Sequence, residues 1–373
     1  MKNRFLLALA ALAVTPATAK PLVDCPLRDA PFSSALPLID IMLSPAAKAA
    51  VEGVQPGLLK GIPQFFASTT TPTFAAILSL REAAGMGARF SPDPSNAVMP
   101  DMAKIEAALK AVPVTQADKV ARCARYDSVP PKLTMSAGRP RILLFEKING
   151  FKDTPSVNAA HAAFTAMAQR KGWALATTEN GAAFTPAILK KFDVIIWNNI
   201  SGDVLTLSQR EAFKAYMAKG GGFVGIHGSA GDPVYFWDWY ADTLIGARFA
   251  GHPMAPQFQD AKVNIDDAAH PIAQGLPASW VMNEEWYSFK NNPRATGSRI
   301  IATLDESTYK QVGMGGQKLQ MGDHPIVWTR AVGKGRVFYS AIGHRPERYS
   351  DPVYVQMLEQ GIDWAAGKPA AKP

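Results

Sequence analysis

Five of the six histidines in this sequence lie in short, loop-like motifs with glycine, proline or acidic neighbours. In chain order the motifs are GIHGSAGD, ARFAGHP, DDAAHPI, MGDHPIVW and SAIGHRPE, and their histidines are His227, His252, His270, His324 and His344. Neutral imidazole and carboxylate bind divalent metal ions, and imidazole also exchanges protons near neutral pH. A single histidine in such a loop is usually structural, so the case for chemistry depends on the whole set. The remaining His161 falls on a predicted helix and is expected to be structural.

The strongest candidates, His227 and His344, each follow a predicted strand. His227 comes directly after the apolar run Phe223–Ile226, and His344 comes shortly after the stretch 336–341. Sites in parallel α/β sheets collect at the carboxyl ends of the strands, which makes both positions site candidates. The predicted catalytic residues are His227, His344, Glu285 and Glu347, and the predicted ligands of a divalent metal, preferably Zn²⁺, are His227, His344, Glu285 and His252. Without a metal, the same residues could act as general base and acid.

Aromatic and polar residues near the histidine motifs could bind a sugar, because the apolar faces of sugar rings stack on aromatic side chains. The predicted substrate-binding residues are Trp237, Trp239, Tyr240, Trp286, Tyr287, Asp323 and His324. Aromatic residues also fill protein cores, and acidic residues also cap turns, so a structural role is the alternative for this group.

Alternating apolar runs and amphipathic segments after residue 140 predict the framework that positions these residues. The predicted strands are Ile142–Phe145, Trp173–Thr177, Phe192–Trp197 and Phe223–Ile226, and the predicted helices are Asn158–Lys171, Leu207–Lys219 and Pro352–Ala366. Ser208 is the expected N-cap of the second helix. Buried strands that alternate with helices indicate an α/β fold with a doubly wound, mostly parallel sheet. A later β-rich stretch is predicted over 324–330 and 336–341.

The segment before this domain has a different texture. Residues 1–19 have a basic start, a short apolar run and a small-residue end, which predicts a signal peptide cleaved near Ala19 and an exported, periplasmic or secreted protein. Residues 20–126 predict a small helical module, residues 127–140 a proline-containing linker, and residues 141–367 the α/β domain. Cys25 and Cys123 are the sole cysteines. They could form a disulfide in an oxidising compartment, or remain two buried thiols.

Composition narrows the classes of protein further. Hydrophobic residues make up 47% and charged residues 19% of the chain, which is typical of a globular protein. The formal net charge is +8, but the basic residues are scattered, so neither a nucleic-acid groove nor a polybasic membrane patch is expected. The apolar run at the start is too short to span a bilayer, and no later segment is long enough.

The end of the chain resembles class I glutamine amidotransferases. His344, Pro346 and Glu347 resemble their His-Pro-Glu motif, which supplies a base and its orienting acid, with one residue inserted. GIHG resembles their nucleophile turn, with His227 in the place of the cysteine. This resemblance implies the fold but disfavours glutamine amidotransfer, since nothing at position 227 can form a thioester. Ser229 does not lie in a G-x-S-x-G nucleophile turn.

A wider resemblance covers roughly residues 141–367. The motifs that carry it are GGFVGIHGSAG, WDWYADTLIGARFAGHP, HPIAQGLP, NEEWYSF, TLDESTY, MGDHPIVW and GRVFYSAIGH. Together they resemble the ThuA-like family, named for trehalose utilisation. This resemblance implies an amidotransferase-like α/β fold and an association with the metabolism of disaccharides, including 3-keto-glycosides. Family members often have an F-R-H stretch where this chain has Phe151-Lys152-Asp153, so the role of that histidine either passes to Asp153 or is lost.

The combined prediction is an exported protein that binds a small carbohydrate. We predict a hydrolase or lyase of glycosides or keto-sugars, with a His/Glu site at the carboxyl ends of the strands and possible help from a metal. The alternative is a non-catalytic sugar-binding or accessory protein on the same fold. The helical module lies outside the resemblance and has no functional interpretation from sequence.

Overall fold

The computed structural model of the chain describes residues 22–89 and 100–367. The predicted signal peptide, residues 1–19, lies outside the described residues. Within the described ranges, no helix has both the length and the apolar character needed to cross a membrane.

Short helices build the N-terminal part of the chain. In chain order they are α1 (Leu38–Leu43), α2 (Pro45–Val54), α3 (Leu58–Gly61), α4 (Gln64–Ala67), α5 (Leu80–Arg89), α6 (Met102–Lys110) and α7 (Gln116–Cys123). They enclose an apolar core of their own, which includes Phe32, Leu38 and Ile105. A disulfide joins Cys25 to Cys123 across a sequence separation of 98 residues. The bridge ties the start of this module to the end of its last helix.

The second part of the chain begins with the first strand at residue 141. In chain order the strands are β1 (Arg141–Phe145), β2 (Ala174–Thr178), β3 (Val194–Trp197), β4 (Gly222–Ile226), β5 (Phe249–Gly251), β6 (Phe258–Ile265), β7 (Ser279–Glu285), β8 (Ser288–Phe289), β9 (Arg299–Asp305), β10 (Pro325–Val332) and β11 (Gly335–Ser340). The larger helices between them are α8 (Thr154–Lys171), α9 (Pro186–Leu189), α10 (Leu207–Ala218) and α11 (Pro352–Ala365).

One mixed sheet forms the centre of this domain, with the strand order β2-β1-β3-β4-β11-β10-β9-β6-β7. The first five strands in that order pair in parallel. The remaining strands extend the sheet through antiparallel pairs, and β5 pairs with β8 in a separate two-stranded sheet. The predicted doubly wound α/β sheet is confirmed, and the late β-rich stretch supplies its antiparallel half. The strand order reverses between β1 and β3, which is the switch point where such sheets bind ligands.

The predicted N-cap of α10 is wrong. The helix starts earlier than Ser208, and Thr206 is its N-cap in a reciprocal capping box with Gln209. Ser208 is already in the first turn, where its backbone N–H donates to the Asp24 carboxylate over 2.7 Å. This contact also fixes the extended segment that precedes the helical module against the α/β domain.

Candidate functional site

Three of the predicted residues meet above the carboxyl end of the parallel strands. His227 follows β4 directly, and His344 lies in the loop after the neighbouring strand β11. Glu285 is the last residue of β7, at the far edge of the sheet. The adjacent Glu284 fastens that edge to the site, because its buried carboxylate accepts backbone N–H groups of Gly343 and Arg345 at 3.2 and 3.1 Å.

The polar atoms of this triad, His227, Glu285 and His344, converge closely. His227 Nε2 lies 3.2 Å from His344 Nδ1 and 3.2 Å from Glu285 Oε2, and His344 Nδ1 lies 3.0 Å from the same oxygen. His227 and Glu285 are buried, whereas 14% of the His344 side chain is exposed. One ligand atom from each residue therefore lies within the reach of a single metal ion.

The two histidine rings differ in the contacts that decide which nitrogen carries hydrogen. His227 Nδ1 lies 2.7 Å from the carbonyl oxygen of Ala341, so Nδ1–H must donate there and Nε2 presents a lone pair when the ring is neutral. His344 Nε2 lies 3.5 Å from Asp153 Oδ2 in an ion-pair contact, whereas its Nδ1 lies at the shorter hydrogen-bond distance of 3.0 Å from Glu285 Oε2. Carbonyl and carboxylate partners of this kind are typical of histidines that bind metal ions.

If His344 Nδ1 carried no hydrogen, two neutral rings and the Glu285 carboxylate would turn three acceptor atoms toward one another. Such an arrangement is repulsive unless a cation, either a proton or a metal ion, lies between them. Burial alone would raise the pKa of Glu285, but hydrogen bonds from His227 and His344 outweigh it and hold that pKa well below its usual value. Burial disfavours the charged form of His344, but the contact with Glu285 raises the pKa of this ring overall. The site thus favours a carboxylate next to positive charge.

The backbone at this end of the sheet is strained. His227 and Asn199, which follow β4 and β3, adopt positive φ angles of 35° and 53°. For residues other than glycine such conformations cost about 1–3 kcal/mol each and persist where surrounding contacts enforce them. The Tyr339 hydroxyl donates to the carbonyl of His227 over 2.8 Å, and the Gly228 N–H donates to Asn199 Oδ1 over 3.1 Å.

His252 and two aromatic rings form the side of the triad that reaches solvent. His252 Nδ1 lies 2.9 Å from the carbonyl oxygen of Pro253 and 3.3 Å from Glu285 Oε1, the carboxylate oxygen that faces away from the other two histidines. About a quarter of this side chain is exposed. The rings of Phe151 and Phe258 lie 6.4 and 5.2 Å from that of His344. His252 is therefore at the rim of the site rather than at its centre.

Glu347, the fourth predicted catalytic residue, is not brought to the triad. Its side chain is 57% exposed and pairs with Arg345 at 3.3 Å. The inserted residue in the His-Pro-Glu-like motif places Glu347 in the short helix Pro346–Ser350. Asp153 contacts His344 at the nitrogen opposite the triad. The position where family members often have histidine therefore holds an acid that orients His344.

The predicted sugar-binding aromatic residues divide between core and surface. Trp286 is buried and its indole N–H donates to the carbonyl of Gln259 over 2.8 Å. Trp237 and Tyr240 line a cavity of about 20 Å³ beside Asp232, which has room for one water molecule but not for a sugar. Trp239 is stacked on Trp237 at 5.3 Å. Tyr287 alone of this group touches the triad, with its ring 4.1 Å from that of His227.

The remaining predicted residues form separate structural contacts. His324 is buried between Glu306 and the carbonyl of Tyr287. Asp323 forms a surface ion pair with Arg294 at 2.9 Å. His270 caps a short helix by accepting the N–H of Ile272, and its burial lowers its pKa to about 4. His161, on helix α8, has its Nδ1 2.9 Å from the carboxylate of Glu146.

Sequence reasoning missed three residues that organise the site. Asn199 lies at the carboxyl end of β3, so the rule that sites collect at the carboxyl ends of parallel strands applies to it as it does to His227. Glu284 holds the loop of His344 through a long-range contact, which no local sequence pattern indicates. Gln257 donates its side-chain N–H to Glu285 Oε1 and has no signal in the sequence.

A doubly wound α/β sheet with a His/Glu triad at its strand ends defines an α/β protein of the amidotransferase-like fold. His227 lies where the nucleophilic cysteine would be. The sequence model of a family described as ThuA, trehalose utilisation, matches residues 141–365, and the chain belongs to this family. The predicted family resemblance is therefore confirmed.

Two solved structures are similar to part of this chain. A thua-like protein from Bacteroides uniformis is 27% identical, with a TM-score of 0.53 over 64% of this chain and 95% of that chain. A thua-like protein from Parabacteroides merdae is 17% identical, with a TM-score of 0.46 over 62% of this chain and 92% of that chain. No curated protein matches the sequence. The helical module lies outside the family match.

Proposed function

We propose that this chain is an exported, metal-dependent enzyme that acts on a carbohydrate, with His227, Glu285 and His344 as the metal ligands. The observation that carries the proposal is the convergence of three lone-pair atoms within 3.0 to 3.2 Å. Their outer hydrogen bonds direct both histidines toward a shared point. A divalent cation would stabilise this arrangement more completely than a single proton, because it attracts all three donors at once.

The donor set suits zinc. Two imidazole nitrogens and one carboxylate oxygen are a common protein ligand set for catalytic zinc, which keeps a further position open for water or substrate. When bound, such an ion can polarise a sugar oxygen or lower the pKa of a water molecule. The partly exposed His344 and the rim residue His252 mark the side from which a substrate would enter.

The residues around the triad would transfer protons and hold the ligand side chains in their orientation. The Ala341 carbonyl accepts Nδ1–H of His227, and the Asp153 carboxylate lies 3.5 Å from Nε2 of His344, so each ring has an outer polar partner that opposes its rotation. His252 directs Nδ1–H at Pro253 and Glu285, which leaves its Nε2 free to accept or deliver a proton at the rim. We assign proton transfer to His252 and ligand orientation to Asp153.

A glycoside or keto-sugar is the substrate class that best fits this chemistry. Both offer adjacent oxygens that can bind a cation. A glycoside is hydrolysed when a base deprotonates the attacking water and an acid protonates the leaving glycosidic oxygen. A 3-keto-glycoside eliminates when a base removes the proton next to the carbonyl and the glycosidic oxygen leaves with a proton from an acid. The description of the family as trehalose utilisation supports a carbohydrate. Export is supported by the predicted signal segment and by the disulfide between Cys25 and Cys123, since such bonds persist in oxidising compartments.

Turnover assays with metal removal test the proposal. The protein, purified without a metal-affinity tag, is assayed on trehalose, other disaccharides and 3-keto-glycosides, before and after chelation and again after Zn²⁺ is restored. We expect chelation and His227→Ala each to lower turnover by about 100-fold or more, the scale of losing a group that stabilises charge in the transition state. His161→Ala is the matched control and should retain activity.

Two outcomes would contradict the proposal. Turnover that survives both chelation and His227→Ala would show that the triad holds no required metal. Sugar binding without turnover of any tested compound would favour the alternative, a non-catalytic sugar-binding protein on the same fold.

A further inference from the structure

The helical module packs against the loop that carries Asp153. The Thr73 N–H donates to the carbonyl of Asn149 over 3.0 Å, just after strand β1. At Gly150, an added Cβ would lie 2.6 Å from Ile77 of the module, so the two chain segments are in close contact. The module is therefore part of the wall next to the triad rather than a distant appendage.

Four phenylalanines cross this contact as one continuous group, which we call the aromatic strip: Phe65, Phe66, Phe74 and Phe151. The three rings from the module lie 4.8 to 5.3 Å from one another. Phe74 lies 5.1 Å from Phe151 of the α/β domain. Phe151 is in turn stacked against the ring of His344, at 6.4 Å and an interplanar angle of 28°. The strip thus leads from the module surface to a member of the triad.

The strip is open to solvent at both ends. Phe65 is 64% exposed and Phe151 is 38% exposed, while Phe66 and Phe74 are half-buried. Large apolar side chains exposed as a contiguous group often mark a binding surface, whereas isolated ones need no explanation. Here two exposed rings belong to one group that borders the proposed reaction centre.

The surroundings of the strip suit a neutral ligand with hydroxyl groups. The segment after Phe66 reads Ser68-Thr69-Thr70-Thr71, and the side chains of Thr69 and Thr70 are exposed. The nearest cation along the chain, Lys152, pairs with Glu179 at 3.4 Å. Rings that offer apolar faces beside hydroxyl-bearing residues match the faces and edges of a sugar.

We infer that the aromatic strip is a second subsite, which binds a ring of the substrate remote from the group held at the triad. This inference rests on the proposed function. The substrate class is then a neutral glycoside with at least two rings rather than a monosaccharide. The second ring is either a sugar or an aryl group, because both stack on phenylalanine through the same apolar contact.

Binding measurements on the mature chain with its metal test this inference. Affinities for trehalose, 4-nitrophenyl glucoside and glucose are measured by calorimetry for the wild type, Phe65→Ala and Phe65→Trp. We expect Phe65→Ala to weaken the two-ring ligands about 3- to 10-fold, the range given by one aromatic contact, and to leave glucose unchanged. Phe65→Trp should restore the affinity. A larger loss of affinity for the aryl glucoside identifies the second ring as aryl, and a larger loss for trehalose identifies it as a sugar.

Val129→Ala is the matched control, since Val129 is 74% exposed and lies outside the strip. Thermal unfolding of each variant confirms that it is folded. Three outcomes would overturn the second subsite. Phe65→Ala could weaken the affinity for glucose as much as that for the two-ring ligands, it could leave every affinity unchanged, or none of the three probes could bind. If turnover requires metal but is unchanged by Phe65→Ala, the second subsite alone is refuted. If the preference for two-ring ligands depends on Phe65 but turnover does not require metal, the proposed function alone is refuted.

Discussion

Two histidine–glutamate clusters lie in the same domain, and they differ in how their polar atoms are partnered. His324 has Nδ1 at 2.8 Å from Glu306 and Nε2 at 2.9 Å from the carbonyl of Tyr287, so each nitrogen faces a partner of its own. Glu306 also accepts the N–H groups of Met321 and Gly322. The His324 side chain is fully buried. This cluster is complete and closed.

The triad of His227, Glu285 and His344 shares its partners instead. Its two histidines use their outer nitrogens on Ala341 and Asp153 and turn the inner ones toward one carboxylate oxygen. A histidine beside a glutamate is therefore not in itself a reactive site. What distinguishes the triad is the convergence of two histidines on one carboxylate oxygen, together with partial access to solvent at His344.

Matched substitutions of the two glutamates should give the largest contrast. Glu285→Gln removes the charge that balances a cation, so we expect loss of bound metal and a fall in turnover of about 100-fold or more. Glu306→Gln breaks a buried, charged hydrogen bond and should cost about 1–3 kcal/mol of the free energy of unfolding while metal content is unchanged. Metal analysis and urea unfolding of both variants measure this. Equal metal loss in both variants would remove the distinction.

Asp153 should have the next largest effect on the triad. Asp153→Ala frees His344 to rotate, and the loss of such an outer partner lowers metal affinity about 10- to 100-fold. Asp153→Asn keeps an oxygen that can accept from His344 Nε2 and should recover much of the affinity. Competition with a coloured chelator measures both variants. Wild-type affinity in Asp153→Ala would show that His344 is positioned by other contacts.

Asp232 extends the comparison to a buried carboxylate held by neutral donors, Ser201 and the N–H of Gly202. Burial raises its pKa to about 7, although these hydrogen bonds oppose the shift. A raised carboxyl pKa stabilises the fold below about pH 4, and that stability is lost as the pH rises toward 7. The slope from this group should be about 1 kcal/mol per pH unit.

Urea unfolding between pH 4 and 8 checks this slope in the wild type and in Asp232→Asn. The variant should lack the contribution and show a flatter profile over pH 4 to 7. An identical profile in the two proteins would mean that Asp232 is not the group that titrates.

The smallest effect is expected for Glu347, which is exposed and pairs with Arg345. Exposed ion pairs contribute little to stability, and Glu347 contacts no member of the triad in the described structure. Glu347→Gln should therefore leave both the melting temperature and turnover within experimental error of the wild type. A large loss of turnover would instead restore the role suggested by the amidotransferase motif.

The sequence allowed the parallel half of the fold to be predicted because its signals are local. Apolar runs such as Ile142–Phe145 and Phe223–Ile226 have few alternatives to buried strands, and the motifs of the family extend across the whole domain. The N-cap of α10 was misplaced because Thr206 and Ser208 are both suitable residues, and only the backbone geometry separates them.

The candidate site was only partly predictable. The strand-end rule found His227 and His344, and their chemistry pointed to Glu285. No local sequence pattern predicts that Glu285, on the edge strand of the sheet, reaches the site. Its position depends on the contact between Glu284 and the loop at Gly343. The spacing of Glu347 suggested a contact with His344, but one inserted residue turns it to the surface, and Asp153 occupies the orienting position instead.

The most direct test of the central claim is anomalous X-ray scattering at the zinc edge from crystals of the tag-free protein grown with Zn²⁺. One peak per chain is expected between His227 Nε2, Glu285 Oε2 and His344 Nδ1, and it should be absent in His227→Ala. A triad that shows no peak and is closed by direct hydrogen bonds under the same conditions would contradict metal binding at this site.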